Sequence, residues 1–179
     1  DFPTHRIVGE EGFGDKVTSL EGIVWFIDPI DGTMNFVHQR RNFAISVGIY
    51  VDGIGMLGYI YDVMRDDFYY AMNARWVAPN PYVEHQPVID LVQRVRGTRS
   101  YGSAALELAY VASGRLDAYL SMRLAPWDIA GGIIIAREVG AIATTMKNKP
   151  LSLLQTETFI VANQHIHNKI IQEHLQCKN

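Results

Sequence analysis

The segment Asp28-Pro29-Ile30-Asp31-Gly32-Thr33 sets two carboxylates three residues apart, with a proline between them and a glycine behind. Pro29 fixes its own φ and removes a backbone donor, while Gly32 lets backbone approach a ligand closely. Two like charges held this near raise the pKa of at least one of them unless a cation neutralises the pair. Hard divalent ions such as Mg²⁺ take oxygen ligands of this kind, backbone carbonyls included. The alternative is an Asx-type turn with two solvated aspartates.

Two further carboxylate positions bear on that choice. Gly9-Glu10-Glu11 supplies adjacent acids, the first of them 18 residues before Asp28. Alone, an acidic pair of this kind reads as a solvated loop. Trp127-Asp128 opens an apolar helix, where aspartate is first of all an N-cap. A cap and a metal ligand are not exclusive when the helix start faces the site. The six histidines show no ligand spacing except His165-x-His167, which on a helix points two ways and reads as surface. The lone Cys177 has no base partner in view and reads as inert.

Elements must carry these groups to one place. Residues 23–27 form an apolar, β-rich run stopped by Asp28-Pro29, a buried strand delivering the aspartates at its C-terminal edge. Ile7 and Val8 predict an earlier strand that ends at Glu10. Residues 43–51 alternate as a strand, Asp52-Gly53 turns the chain, and 55–61 and 68–71 continue as strands. Consecutive strands without helices predict an antiparallel sheet. The second half changes character: a helix over 103–113 closed by Gly114, a strand over 117–122, and a helix over 129–139 closed by Gly140. Short strands over 141–145 and 159–162 and a last helix over 166–175 follow. This alternation predicts that parallel pairing also occurs. Leu106, Leu108, Ala109 and Val111 are core helix positions; Tyr50, Tyr59, Tyr61, Tyr69 and Tyr70 are sheet-face packing.

The bulk numbers set bounds. With 179 residues, 48% of them apolar, the chain can fill one compact multilayer domain. The net charge is −3, and the densest basic run, 94–99, holds three arginines, which excludes the footprint of a nucleic-acid binder. The longest apolar stretch, 131–136, runs into Arg137 and Glu138, so no membrane span is expected. One cysteine allows no intramolecular disulfide, in keeping with a reducing, cytoplasmic setting. No repeat or low-complexity linker is present. The chain opens at Asp1-Phe2-Pro3 without an initiator Met, and its true start is expected upstream.

Taken in order, Gly9-Glu10-Glu11, then the run from Trp25 through Asp28-Pro29-Ile30-Asp31-Gly32-Thr33 to Met34-Asn35-Phe36-Val37-His38, then Trp127-Asp128-Ile129-Ala130-Gly131-Gly132 resemble the three metal-site motifs of the inositol monophosphatase family. The similarity runs to about Gly140, and Arg99-Ser100-Tyr101-Gly102-Ser103-Ala104-Ala105 is similar to the family's substrate-side glycine segment. The resemblance is to a bacterial-type member of this lithium-sensitive, Mg²⁺-dependent superfamily. It implies an α/β fold, the layered αβαβα sandwich shared with fructose bisphosphatases, as a single domain over 1–179. It also implies a homodimer acting on a small-molecule phosphate monoester.

By motif position, Glu10, Asp28 and the carbonyl of Ile30 would hold a first Mg²⁺, and Asp28, Asp31 and Asp128 a second. Glu10 would also stand near a weaker third ion, which gives it a catalytic part, with Glu11 behind it. Gly32 and Thr33 would present N–H groups to the phosphate, and Thr33 would help orient and deprotonate the attacking water. Its acidic partner in that task lies upstream of the Gly-Glu-Glu motif. Gly102, Ser103 and Ala104 would border the substrate, and His38 would stand at the site rim.

Two departures qualify the resemblance. Ser121 stands seven residues before Asp128, where the family carries a glutamate that contacts the inositol ring. A more open pocket is expected, admitting inositol monophosphate and also the 2′-phosphate of NADP. The chain is also short between Met72 and Tyr82; N-terminal helices and a segment after Met72 are expected to be missing. Alternatives are a fructose bisphosphate or 3′-phosphoadenosine phosphatase, or a non-catalytic relative that binds a phosphorylated ligand. Met34 to His38 resembles the inositol branch, and all four expected carboxylates are present, which weighs against silence.

Overall fold

The computed structural model describes residues 2–10, 14–72, 91, 93–95, 97–98 and 100–175. Glu11, Arg99, Cys177, the Tyr70 side chain and the short stretch between Met72 and Tyr82 lie outside the described parts. A first sheet is built from β1 (Arg6–Gly9), β2 (Ile23–Asp31), β3 (Ala44–Val51), β4 (Ile54–Asp62) and β5 (Asp67–Met72), in that spatial order. β2 to β5 form the expected antiparallel meander, and β1 adds a parallel edge beside β2. Asp52 and Gly53 both take positive φ, the conformation that a tight hairpin between twisted strands requires. A helix, α1 (Thr33–Gln39), follows β2 directly; the strand-and-helix pattern alone did not mark it as an element.

The second sheet holds β6 (Ala118–Leu124), β7 (Ala141–Thr144) and β8 (Glu157–Asn163), in the order β6-β8-β7. Parallel pairing does occur in the chain, but not in this half, where both pairs are antiparallel. β6, the helix α3 (Pro126–Glu138) and β7 form a crossover unit, and β8 inserts antiparallel between its two strands. The alternation along the chain is real, but the neighbour in space is the late strand. The parallel pair sits in the first sheet instead.

α2 (Ala104–Ala112) and α3 lie between the two sheets, and α4 (Gln164–Ile170) packs on the outside of β8 and β7. α4 runs on as a π-helical turn, Ile171–Leu175, where a single continuous helix was expected. The result is the layered α/β sandwich. The core fills the space around the helix pair, with Leu106, Leu108, Ala109 and Val111 buried as expected, together with Phe26, Ile133 and Phe159. The opposite face of the first sheet presents Trp25, Val47, Tyr59 and Phe68, with no helix over it among the described residues. Tyr50 points the other way and is buried, its hydroxyl donating to the Ala130 carbonyl at 3.0 Å.

One contact decides how α3 sits. Gly48 and Gly58 are directly opposite one another on β3 and β4. A Cβ at Gly48 would lie 2.8 Å from the Ala130 carbonyl carbon and the Gly131 nitrogen, and one at Gly131 would lie 2.7 Å from the Val47 carbonyl oxygen. Only bare backbone fits this crossing, and it brings the start of α3 over the end of β2. No helix among the described residues is long and apolar enough to cross a membrane.

Candidate metal centre

β2 does not stop at Ile27; it runs on to Asp31 through a bulge. Asp28 pairs with Ser46 and Asp31 with Ala44, so three steps along β2 match two along β3. Residues three apart on a regular strand face opposite sides of the sheet. The extra residue restores Asp31 to the side of Asp28, and both side chains are buried. Pro29, exposed at the bulge, leaves no unmet ladder donor there. Sequence spacing alone left the relative direction of the two aspartates open.

Glu10 follows the end of β1, and Asp128 lies in the first turn of α3. Asp128 was expected at the N-cap, but Pro126 takes the first helical position and moves the cap to Ala125. Asp128 Oδ2 accepts the Ala125 N–H at 2.6 Å, so its carboxylate caps and faces the site at once. Glu10, Asp28 and Asp128 each offer a carboxylate oxygen, and these oxygens lie within 4.8 Å of one another. Asp31 stands beside this trio but is not part of it. Its Oδ2 accepts from Ser103 Oγ and from the Ala105 N–H at 2.9 Å, tying the start of α2 to β2.

The electrostatics follow from burial without countercharge. Burial first, then the charges of Asp31 and Glu10, push Asp28 up to about 8, against the N–H donated by Ile30. Burial lifts Asp31 to about 7, opposed by the hydrogen bonds from Ser103 and Ala105. Asp128 rises to about 6, again through burial, opposed by the bond from Ala125. The ion pairs found among the described residues involve Arg65 and Arg115, and neither reaches these carboxylates.

Asp28 Oδ1 accepts from the Ile30 N–H at 3.0 Å, but its buried Oδ2 has no hydrogen-bond partner. An unpaired buried carboxylate oxygen is costly, and a cation resolves it. The donor set is all oxygen, which suits a hard divalent ion. The Ile30 carbonyl accepts from Thr33 Oγ1 at 3.0 Å, so the hydroxyl proton is spent there and its lone pairs are what it can offer a water.

These groups open into a cavity of about 920 Å³. Gly32, Thr33, Gly102, Ser103, Ala104 and Ser121, all expected at the substrate, line it. His38, expected at the rim, is exposed and does not line it. Of the two histidines taken for surface, His165 is exposed, whereas His167 is 1% exposed with Nε2 2.9 Å from Thr144 Oγ1. It packs against β7, away from the carboxylates. Sequence reasoning also passed over Glu107. Its Oε1 accepts the N–H groups of Tyr101 at 2.8 Å and Gly102 at 3.3 Å, and burial raises its pKa. The available signal was a lone acid in an otherwise apolar helix.

Comparison with known proteins bears on this geometry. The model of the inositol monophosphatase family matches residues 1–77 and 76–179. Inositol-1-monophosphatase of Bacillus subtilis (strain 168) is 50% identical over 99% of this chain and 77% of its own length. Among solved structures, 2′AMP-bound SaIMPase-II superposes with a TM-score of 0.87 at 38% identity, covering 97% of this chain and 77% of that one. An IMPase/NADP phosphatase complexed with Mg²⁺ and phosphate superposes with a TM-score of 0.84 at 26% identity, covering 99% and 75%. The layered sandwich is the fold of these neighbours, and the family defines the class as phosphatases, which are hydrolases. The chain belongs to the inositol monophosphatase family.

Proposed function

We propose that the protein hydrolyses phosphate monoesters with Mg²⁺ held at this centre, acting on inositol monophosphate and also on the 2′-phosphate of NADP. The observation that carries the reading is the meeting of Glu10, Asp28 and Asp128 around an unpartnered, buried Asp28 oxygen. Glu10, Asp28 and the Ile30 carbonyl would hold one ion; Asp28, Asp31 and Asp128 a second; a weaker third belongs near Glu10. Bound there, Mg²⁺ supplies Lewis-acid charge that acidifies a water and neutralises charge on the phosphoryl oxygens.

The chain's own groups do the rest. Gly32 and Thr33 offer peptide N–H groups to the phosphate. Thr33 Oγ1, its proton on Ile30, accepts from the attacking water and orients it. Ser121 supports the broader substrate range: its Oγ bonds to the backbone of Arg123, and the short side chain leaves the leaving-group side of the cavity open. The 2′AMP-bound neighbour supports the same reading. A homodimer in the cytoplasm completes it, tested for assembly by sedimentation equilibrium.

Phosphate release is to be measured on inositol monophosphate, NADP, fructose bisphosphate and the 3′-phosphoadenosine compound, with Mg²⁺ and with a chelator. Asp28→Asn removes charge shared by both principal ions and is expected to abolish Mg²⁺-dependent turnover with the fold retained. Retention of more than about a tenth of kcat, a barrier change under roughly 1.4 kcal/mol, contradicts the assignment.

A further inference from the structure

Asn35 is absent from the cavity wall, yet it holds two parts of that wall together. Its Nδ2 donates to the carbonyl of Asn42 at 2.8 Å and to the carbonyl of Tyr101 at 2.5 Å. Both partners only accept, so the amide must present its NH₂ to them. Its Oδ1 faces Gln39 Nε2 at 3.4 Å. The two carbonyl segments close on Gly32 from either side. A Cβ at Gly32 would lie 2.9 Å from the Asn42 oxygen and 3.0 Å from the Gly102 oxygen, and one at Gly102 would lie 2.8 Å from Asn35 Nδ2. Both glycines take positive φ, so neither position tolerates a side chain on either ground. Tyr101 is thereby held from both edges, its carbonyl by Asn35 and its N–H by Glu107.

We infer that Asn35 is a positioning residue, the tie that fixes Gly102 at its distance from Gly32 and so sets the width of the phosphate-receiving wall. This rests on the phosphatase reading above. The tie runs from α1 to a carbonyl 66 residues along the chain and makes no bond to a carboxylate of the centre, whereas Ser103 holds Asp31 by a bond of its own. Its loss should therefore loosen the grip on phosphate and leave metal binding alone. A residue serving only local packing of α1 would behave differently, since removing volume would then matter more than removing donors.

The test compares Asn35→Ala with the isosteric Asn35→Asp, whose carboxylate would face two carbonyl oxygens. KM for inositol monophosphate and Ki for inorganic phosphate are expected to rise together by about tenfold in Asn35→Ala, the scale of one lost hydrogen bond. They should rise further in Asn35→Asp. The Mg²⁺ concentration for half-maximal activity should stay within about twofold of wild type on this account. Unchanged KM and Ki, an alanine variant worse than the aspartate one, or Mg²⁺ half-saturation shifting in step would each overturn the proposal. So would failure of both variants to fold, which would make Asn35 a structural residue. A wild-type protein without Mg²⁺-dependent turnover takes down the phosphatase reading and this one with it; active wild type with unaltered variants takes down this one alone.

Discussion

Asp28 carries opposed demands. It is 1% exposed, sits near Asp31, Glu10 and Asp128, and keeps one oxygen unpartnered. Without metal, the folded chain answers by binding protons: Asp28 and Asp31 titrate near 8 and 7, where an unfolded aspartate titrates near about 3.9. Folded protein thus binds more protons than unfolded protein across that interval, and stability must fall as pH rises through it. His167, depressed by burial, acts in the other sense below its ordinary value near about 6.5, so the clean window is pH 6.5 to 8. In chelator, Tm is expected to decline across this window and then level off. In saturating Mg²⁺, which takes the place of the protons, the decline should vanish and the gap between the two curves should widen with pH. Thermal unfolding at four pH values with and without chelator measures both, and a metal-free Tm that climbs from 6.5 to 8 contradicts the argument.

α3 supplies Asp128, and its seat on the sheet is set by the glycines at the crossing with β3 and β4. Gly48→Ala places a methyl group 2.8 Å from the backbone of Ala130 and Gly131, where no flexible side-chain end can yield. The helix has to lift. Overpacking of this kind costs about 1–3 kcal/mol, or roughly 3–9 °C of Tm in a chain this size. Because Asp128 rides on the same helix three residues before Gly131, the Mg²⁺ concentration for half-maximal activity should rise along with the loss of Tm. Calorimetry and a Mg²⁺ titration on one preparation decide it. A destabilised variant with unaltered Mg²⁺ dependence would show that the centre does not depend on the seat of α3.

At the scale of the whole molecule, the cavity exists only because both sheets and the helices between them meet. Glu10 comes from just after the first strand, Asp28 and Asp31 from the second, Ser121 from the second sheet and Asp128 from α3. Selectivity is expected to be decided on the second-sheet side, away from the metal. Ser121→Glu adds a carboxylate able to hydrogen-bond ring hydroxyls, each such bond worth about 1.5–3 kcal/mol. The ratio of kcat/KM for inositol monophosphate over NADP should rise about tenfold or more, while Mg²⁺ dependence stays put. An unchanged ratio would move the determinant to Gly102, Ser103 and Ala104. Wild-type protein confined to inositol monophosphate would show the open-pocket reading wrong.

The order of the strands and of the helices other than α1, the pairing of Asp28 and Asp31 around a proline and the resemblance to the inositol monophosphatase family were legible in the sequence. Each rests on neighbours within a few residues: alternation, turn glycines, and carboxylates around a proline. What the tertiary structure alone decided involves partners far apart. The bulge that turns Asp31 to the side of Asp28 is a matter of register against β3. Glu10 and Asp128, 118 residues apart, meet because two glycines let α3 approach the sheet. β8 enters between β6 and β7 and makes the second sheet antiparallel. His167 is buried by β7, and Asn35 reaches a carbonyl at Tyr101. Local pattern records which side of an element is apolar. Which other element covers that side, and at what distance, is set by packing of the whole chain, where a single missing Cβ decides whether two backbones touch.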